Sequence, residues 1–324
     1  MIKKNIKKYL PTKYFDPIRI LINKLNFFSY LIYDYNHIFK VKKNKGVEIS
    51  NIIRQYHRLE KAMSKMPYDS TRGFRAANTL LGLLEKYDNE NNIKDIQFNV
   101  GLNVLEKFFL KNKDLNSPLY KRLKLINNLR QDIKVGVEST HKSYFLDNSS
   151  KNFKHLSTSR KSVRYFSNEK VDINKVKDAL DIAKKTPSVC NRQGWHTWVI
   201  TEESIINHFK KIHNGFSLQN QNLNTLLVVT FDKNSFDYPM ERNQGFTDAG
   251  LYSMSVMYAL TYKGLASCPL NSNFYLKDKK KFKTHIGIPD NFTIAMFIAV
   301  GNYLDNNLSP ISYRYSVDDK ATFI

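Results

Sequence analysis

The spacing of apolar residues changes near residue 150, and this change constrains the fold more than any other feature. Before it, apolar residues recur every three or four positions, as over 80–87 and 102–110, which predicts amphipathic helices. After it, short β-branched or aromatic runs predict strands at 195–201, 225–231 and 294–300. Helical patterns alternate with them at 171–185 and 246–263. The second half therefore predicts a layered α+β domain.

A polar, turn-forming run at 147–152 marks the predicted boundary between the two halves. Residues 1–150 are predicted to be a mainly helical N-terminal extension and 151–324 an α+β domain. A chain of 324 residues is long enough for two domains of ordinary size.

The chain is strongly basic, with 51 Lys and Arg against 29 Asp and Glu, for a net charge of +22. Part of this excess of Lys reflects a bias toward A/T-rich codons, because the chain is also rich in Asn, Ile and Tyr. The rest concentrates in the first 45 residues, where 11 basic residues face only Asp16 and Asp34. The aromatic, apolar segment 15–39 next to them is typical of an interfacial membrane helix. We favour the alternative that it packs its apolar face on the protein itself.

Other partners and locations are limited by what the sequence lacks. It contains no helix-turn-helix, RNA-binding or zinc-finger pattern, so we expect no nucleic-acid partner. The apolar run 25–33 is far shorter than the roughly 20 residues that span a bilayer. Only Cys190 and Cys268 are present, which favours a reducing compartment and no structural metal. We expect a cytoplasmic protein, with peripheral attachment to the inner face of the membrane as the alternative.

The first segment suited to chemistry is SRKSVRYF, residues 159–166. It places Arg160, Lys161, Ser162 and Arg164 within five residues. Guanidinium forks, an ammonium and a hydroxyl together make a competent phosphate clamp. Alone, the same segment is equally compatible with a solvated basic loop.

The second is the loop PSVCNRQGW, residues 187–195. Ser188, Asn191 and Gln193 offer neutral donors and acceptors that suit the edge of a planar heterocycle. The alternative is an Asx-type turn at a helix end.

Two further segments complete the pattern. A helix with small residues, DAGLYSMSVMYALTYKGLASC, leads into Pro269, Leu270 and Asn271. The segment IGIPDNFTIAMFIAVGNY reads as a buried strand closed by Gly301, and Arg314 follows near the end.

Taken in order, these four segments resemble the nitroreductase-like flavoprotein family over about residues 155–324. The resemblance implies an α/β/α sandwich that binds FMN at the interface of a homodimer and takes electrons from NADH or NADPH. By motif position, Arg160 and Ser162 would hold the FMN phosphate, to which Arg314 would return. Lys161 and Arg164 would lie along the ribityl chain and pyrimidine edge.

The resemblance also assigns the remaining candidates. Asn191, with Ser188 and Gln193 near it, would address the pyrimidine edge, and backbone groups of Pro269, Leu270 and Asn271 would face flavin N5 and O4. No side chain is assigned as a catalytic acid or base.

Three departures from the family pattern bear on function. Gly194 stands where Pro is usual, and Asn271 lies near where some members carry a Glu. Only about 50 residues separate the second and third segments, so the substrate lid is predicted to be short or supplied by the N-terminal half.

The N-terminal half carries one local signature, YHRLEKAMS at 56–64. It resembles a segment in nitroreductase-like proteins of bacterial surface-polysaccharide loci, with Ala62 in place of Gly. A role on the substrate side of the site and a charged amphipathic helix explain this signature equally well.

Three functions remain open from sequence. One is a nicotinamide-driven, FMN-dependent oxidoreductase with a small-molecule acceptor and ping-pong kinetics. Another is a flavin-dependent dehydrogenase or tailoring enzyme with a dedicated substrate in polysaccharide biosynthesis. The last is a non-enzymatic protein that binds membrane through residues 1–45.

Overall fold

A computed structural model of the chain describes residues 20–22, 24–25, 27–28, 31–32, 45–90, 95–126, 133–213, 222–236 and 239–324. From residue 45 the helices are α1 Lys45–Met63, α2 Phe74–Glu90, α3 Ile96–Asn112, α4 Pro118–Leu125, α5 Lys142–Ser149, α6 Phe153–Ser159, α7 Ile173–Ala183, α8 Glu203–Ile212, α9 Gln244–Tyr262 and α10 Leu276–His285. The strands are β1 Val137–His141, β2 Trp195–Ile200, β3 Thr225–Asp232, β4 Ala266–Asn271, β5 Phe292–Gly301 and β6 Asn306–Pro310.

The helices α1 to α4 form a helical region with a core of its own. The apolar faces that the spacing predicted pack together, and Leu59, Leu84, Phe98 and Phe108 are fully buried there. Side chains cap two of these helices, since Asp95 accepts a hydrogen bond from a backbone N–H in the first turn of α3 and Ser117 does the same for α4. The predicted helical first half is therefore present over the described residues.

The second half is built on a four-stranded antiparallel sheet in the order β2-β3-β5-β4. Alternate residues of β3 point to opposite faces, so Leu226 and Val228 join one core while Leu227 and Val229 join another. Helices α7 and α9 cover the face of Leu227, and α8 and α10 cover the opposite face. This two-sided burial confirms the predicted α+β layered fold.

Two glycines show how closely the elements approach. At Gly301, the end of β5, an added Cβ would lie 2.2 Å from the ring of Phe166. At Gly264, φ is +73°, a left-handed conformation that glycine adopts without strain, and α9 ends just before it as the sequence predicted.

A second, two-stranded sheet pairs β1 with β6, so a strand from before residue 150 pairs with one from the end of the chain. The run 147–152 was expected to be a turn, but its first residues complete α5 and Asn152 caps α6. The polar side chains there serve as helix caps, which composition does not distinguish from a linker. The domain boundary at 150 stays a prediction.

The described residues among 20–32 are helical, and they expose large apolar side chains, including Leu25, Phe28 and Ile32. For these residues this differs from our favoured expectation that segment 15–39 packs its apolar face on the protein itself, and the rest of that segment lies outside the described residues. Among the residues that the structure describes, no helix combines the length and apolar character that crossing a bilayer requires.

Candidate functional site

The basic segment 160–166 runs in extended conformation beside the edge strand β4. Ser162 forms a parallel bridge with Ser267, and the N–H of Val163 donates to the carbonyl of Ser267 at 3.0 Å. Arg160, Ser162 and Arg164 carry guanidinium and hydroxyl donors on this segment. The segment follows α6 directly, whereas the next helix, α7, begins only at residue 173.

These side chains border a cavity of about 740 Å³ between the two halves of the chain, a volume within the range of small-molecule sites, roughly 300–1,000 Å³. Its walls come from α1, from the end of α6 and the basic segment, from α9, from Pro269 of β4 and from the C-terminal segment. The lining residues are Ile53, Tyr56, His57, Ser157, Thr158, Arg160, Lys161, Ser162, Arg164, Met254, Tyr258, Pro269, Pro310, Ile311, Ser312, Tyr313 and Arg314.

Arg160 carries the clearest signal of an anionic ligand. Its Nη1 is buried and has no hydrogen-bond partner among the residues that the structure describes. Leaving a buried donor unsatisfied costs about 1–3 kcal/mol, and more for a charged group. An anion in the cavity would satisfy this nitrogen.

The neighbouring side chains are partly engaged within the protein. Lys161 forms an ion pair with Glu138 of β1. Burial lowers the pKa of Lys161 below its ordinary value, with a smaller contribution from Lys134. Arg164 donates to the carbonyl of Ser162 at 3.3 Å, which holds its guanidinium close to the segment.

At the end of β4 the three predicted residues diverge. Pro269 borders the cavity, while the side chain of Leu270 is buried in the core. Asn271 is exposed, and its carbonyl oxygen lies 3.0 Å from Nε2 of His213. Leu270 and Asn271 are absent from the cavity lining, and the role of their backbone groups toward a flavin stays a prediction.

Comparison with known proteins identifies the family of the stretch that holds the sheet and the basic segment. Residues 158–302 match the model of the Nitroreductase family. Residues 158–302 form a nitroreductase-family domain. This stretch contains the basic segment, the sheet and Pro269, and the family makes it an oxidoreductase domain.

A curated relative of the nitroreductase domain is a protein of Archaeoglobus fulgidus named "Putative NADH dehydrogenase/NAD(P)H nitroreductase". It is 23% identical over 144 residues, which span 44% of this chain and 80% of the relative.

Solved structures are also similar. A nitroreductase-like protein from Streptococcus mutans has 22% identity and a TM-score of 0.47, covering 53% of this chain and 97% of that one. A protein from Staphylococcus epidermidis described as a "putative NAD(P)H:FMN oxidoreductase" has 19% identity and a TM-score of 0.48, covering 53% and 96%.

The second predicted segment lies outside the cavity of its own chain. Ser188, Asn191 and Gln193 are absent from the lining, and the last two are exposed. The loop is nevertheless well defined, because Ser188 Oγ accepts the Gln193 N–H at 2.9 Å and Asp248 accepts the Val189 N–H at 3.3 Å.

Three residues of this loop adopt left-handed backbone conformations that non-glycine residues rarely take: Cys190, Asn191 and Gln193, with φ of 49°, 53° and 49°. Such strain clusters at functional sites. The predicted Asx-type turn is therefore an incomplete description of the loop.

The N-terminal helical region contributes a wall that the site predictions left out. Tyr56 and His57 lie one helical turn after Ile53 on α1, and all three line the cavity. The Tyr56 hydroxyl donates to the buried Gln97 at 2.6 Å, and its pKa is raised by burial and by Glu60. The YHRLEKAMS signature was the only sequence signal for this wall.

The last predicted residue, Arg314, does reach the cavity. Its Nη1 donates to the carbonyl of Ser312 at 2.7 Å. The structure thus brings Arg160, Lys161, Ser162, Arg164, Pro269 and Arg314 together.

The two cysteines lie in different surroundings. Cys190 is exposed, whereas Cys268 is buried in β4, and burial raises the pKa of its thiol. Within the described parts of the chain, no three His, Cys, Asp or Glu side chains cluster as a metal site would require.

Proposed function

We propose that this protein is an FMN-dependent oxidoreductase that passes hydride from NADH or NADPH to an organic acceptor. The observation that carries the proposal is the cationic cavity of the nitroreductase domain, with the unsatisfied, buried guanidinium nitrogen of Arg160 in its wall. The activities in the names of its relatives point the same way.

The donors of the cavity suit FMN. A phosphate monoester is a dianion with several acceptor oxygens, and Arg160, Ser162 and Arg314 present guanidinium and hydroxyl donors on one cavity. Apolar and aromatic side chains, among them Met254 and Tyr258, offer contacts for a flat ring.

In this proposal Arg160, Ser162 and Arg314 hold the phosphate, and Arg164 with Lys161 lies along the ribityl chain and pyrimidine edge. Bound FMN supplies two-electron redox chemistry, which the protein orients and tunes. A cation at the pyrimidine edge favours the reduced, negatively charged flavin, so Arg164 raises the reduction potential. Donor and acceptor use one pocket in turn, which gives ping-pong kinetics.

The decisive experiment is the visible absorption spectrum of the purified protein, with the cofactor identified after heat release. We expect bound FMN that NADH or NADPH bleaches under anaerobic conditions. A colourless protein that takes up no added FMN would overturn the proposal.

The loop of Ser188, Asn191 and Gln193 supports a homodimer within this proposal. Its residues match the family segment assigned to the flavin, yet they do not line the cavity of their own chain. A second copy would bring its loop to the cavity. Light scattering coupled to size exclusion should then give twice the mass of 37.9 kDa, and a monomer that retains FMN would exclude this arrangement.

A dedicated substrate is the second candidate, and α1 favours it. Tyr56 and His57, from the signature linked to surface-polysaccharide loci, line the cavity beside the clamp. In this version Tyr56 and His57 would hold a glycan precursor, which would supply the hydride in place of nicotinamide, and a separate electron acceptor would reoxidise the flavin. Bound FMN that neither NADH nor NADPH bleaches would favour it, whereas rapid turnover of NAD(P)H with quinones would exclude it.

Peripheral membrane contact through residues 1–45 is compatible with either activity. Exposed Leu25, Phe28 and Ile32 lie in a segment with a large excess of basic residues, which suits an anionic lipid surface. Full-length protein should float with vesicles containing phosphatidylserine and not with neutral ones. The L25E/F28E variant should stay in solution, and equal flotation of both proteins would overturn the idea.

A further inference from the structure

A buried carboxylate of the helical region lies against the C-terminal segment that carries Arg314. We propose that Glu60 of α1 is a positioning residue for the phosphate end of the cavity, acting through Ser312 on Arg314. The inference rests on the proposed function, because FMN phosphate is the anion in question.

The segment that carries Arg314 is held by the helical region and the chain just after it. The N–H of Ile311 donates to the carbonyl of Gly136 at 3.1 Å, and the N–H of Ser312 donates to Glu60 Oε1 at 3.4 Å. The hydroxyl of Tyr315 donates to Asp95 at 3.2 Å. Arg314 thus enters the cavity of the nitroreductase domain from a segment that is held by residues outside that domain.

The backbone of the segment that carries Arg314 is strained at Ser312. Its φ is 52°, in the left-handed region that costs a non-glycine residue free energy, of order 1–3 kcal/mol. A conformation of this kind persists where the surroundings hold it. Glu60 accepts the N–H of Ser312, while the carbonyl of Ser312 accepts the guanidinium of Arg314. One residue thereby links the carboxylate of α1 to the cation in the cavity.

Glu60 has no exposed surface, although a buried carboxylate is costly unless it is paired. Besides Ser312, it contacts His57 Nδ1 at 3.3 Å, and the imidazole of His57 borders the cavity. Both partners of the carboxylate are therefore residues of the cavity wall. A role in placing that wall explains why a carboxyl group is buried at this point.

The test compares FMN with riboflavin, which carries the same ring without the phosphate. In the full-length protein, Glu60→Ala should weaken FMN binding about tenfold and leave the dissociation constant of riboflavin within about twofold. Glu60→Gln, which keeps an acceptor oxygen, should restore most of the preference for FMN. Glu48→Ala is the matched control, since Glu48 lies on the same helix and pairs with the exposed Lys86.

A double substitution separates positioning from general stability. If Glu60 acts through Arg314, then Arg314→Ala and Glu60→Ala together should weaken FMN binding no more than Arg314→Ala alone. Thermal unfolding of each apoprotein checks that the variants fold, and Glu60→Gln serves if Glu60→Ala does not.

The outcomes distinguish the inference from the proposed function. Wild-type protein that prefers FMN, with Glu60→Ala weakening both flavins equally or neither, overturns the role of Glu60 and leaves the proposed function intact. Wild-type protein that binds the two flavins equally, or binds no flavin, overturns both.

Discussion

The basic segment 160–166 and the loop 188–193 carry equally recognisable motifs, yet they occupy different positions relative to the cavity. The first lines the cavity, whereas the second lies outside it with a strained backbone held by its own hydrogen bonds. Motif order along a chain indicates which residues serve one site. It does not indicate whether they meet within one chain or between two copies.

The largest expected effect tests the basic segment. Arg160→Ala/Arg164→Ala should weaken FMN binding by about 100-fold or more, because hydrogen bonds from charged groups contribute about 1.5–3 kcal/mol each. Fluorescence titration with FMN measures this. Arg122→Ala, an exposed arginine paired with Glu85, is the control and should bind FMN as the wild type does. Unchanged flavin content in the double variant would remove the segment from the site.

The next effect tests how tightly that segment is held against the sheet. Gly301→Ala would drive a methyl group into the buried Phe166, so the free energy of unfolding should fall by about 1–3 kcal/mol. Urea denaturation measures the loss. Gly82→Ala is the control, since nothing lies within 4 Å of its added Cβ in α2, and it should raise stability by about 0.5–1 kcal/mol. Equal stability of the two variants would contradict the close approach.

A smaller effect addresses the loop and the second copy directly. The Arg160→Ala/Arg164→Ala variant and a Ser188→Ala/Asn191→Ala variant should each bind FMN poorly. Co-refolded in equal amounts, they should recover about a quarter of the wild-type sites, because half of the dimers are mixed and each mixed dimer has one intact site. No recovery would mean that loop and clamp serve the same chain.

The smallest effect separates the two thiols, one in the loop and one in strand β4 beside the basic segment. Cys190 in the loop is exposed, while burial raises the pKa of Cys268 and keeps it as an unreactive thiol near pH 8. Because a second copy would cover the loop, the native protein should react with no more than one equivalent of Ellman's reagent, and denatured protein with two. Cys190→Ser should show no fast thiol, and a fast reaction in that variant would contradict the burial of Cys268.

Much of the nitroreductase domain was predictable from local pattern. The helix α7 lies within the helical pattern predicted at 171–185, and the three strands predicted from apolar runs appear as β2, β3 and β5. Edge strand β4 was harder to recognise, because a strand that contains Pro269 and ends at an exposed Asn271 lacks a continuous apolar run. Likewise, α8 and α10 are short, and their apolar positions are few.

The candidate site was predictable in part. The basic segment and Arg314 line one cavity, and the order of the motifs had indicated both. A lid from the N-terminal half was one of two alternatives, but Tyr56 and His57 were not among the predicted site residues, since a helix with charged and apolar faces is compatible with many neighbours. Their role depends on which surface α1 packs against.

By itself, the sequence determined the periodic elements and the basic segment, because helix and strand patterns act over a few neighbouring residues. Only the tertiary structure decided that Glu60 contacts Ser312, 252 residues further along the chain. That contact depends on how the helical region packs beside the sheet, which no local pattern encodes. The cavity between the two halves exists for the same reason.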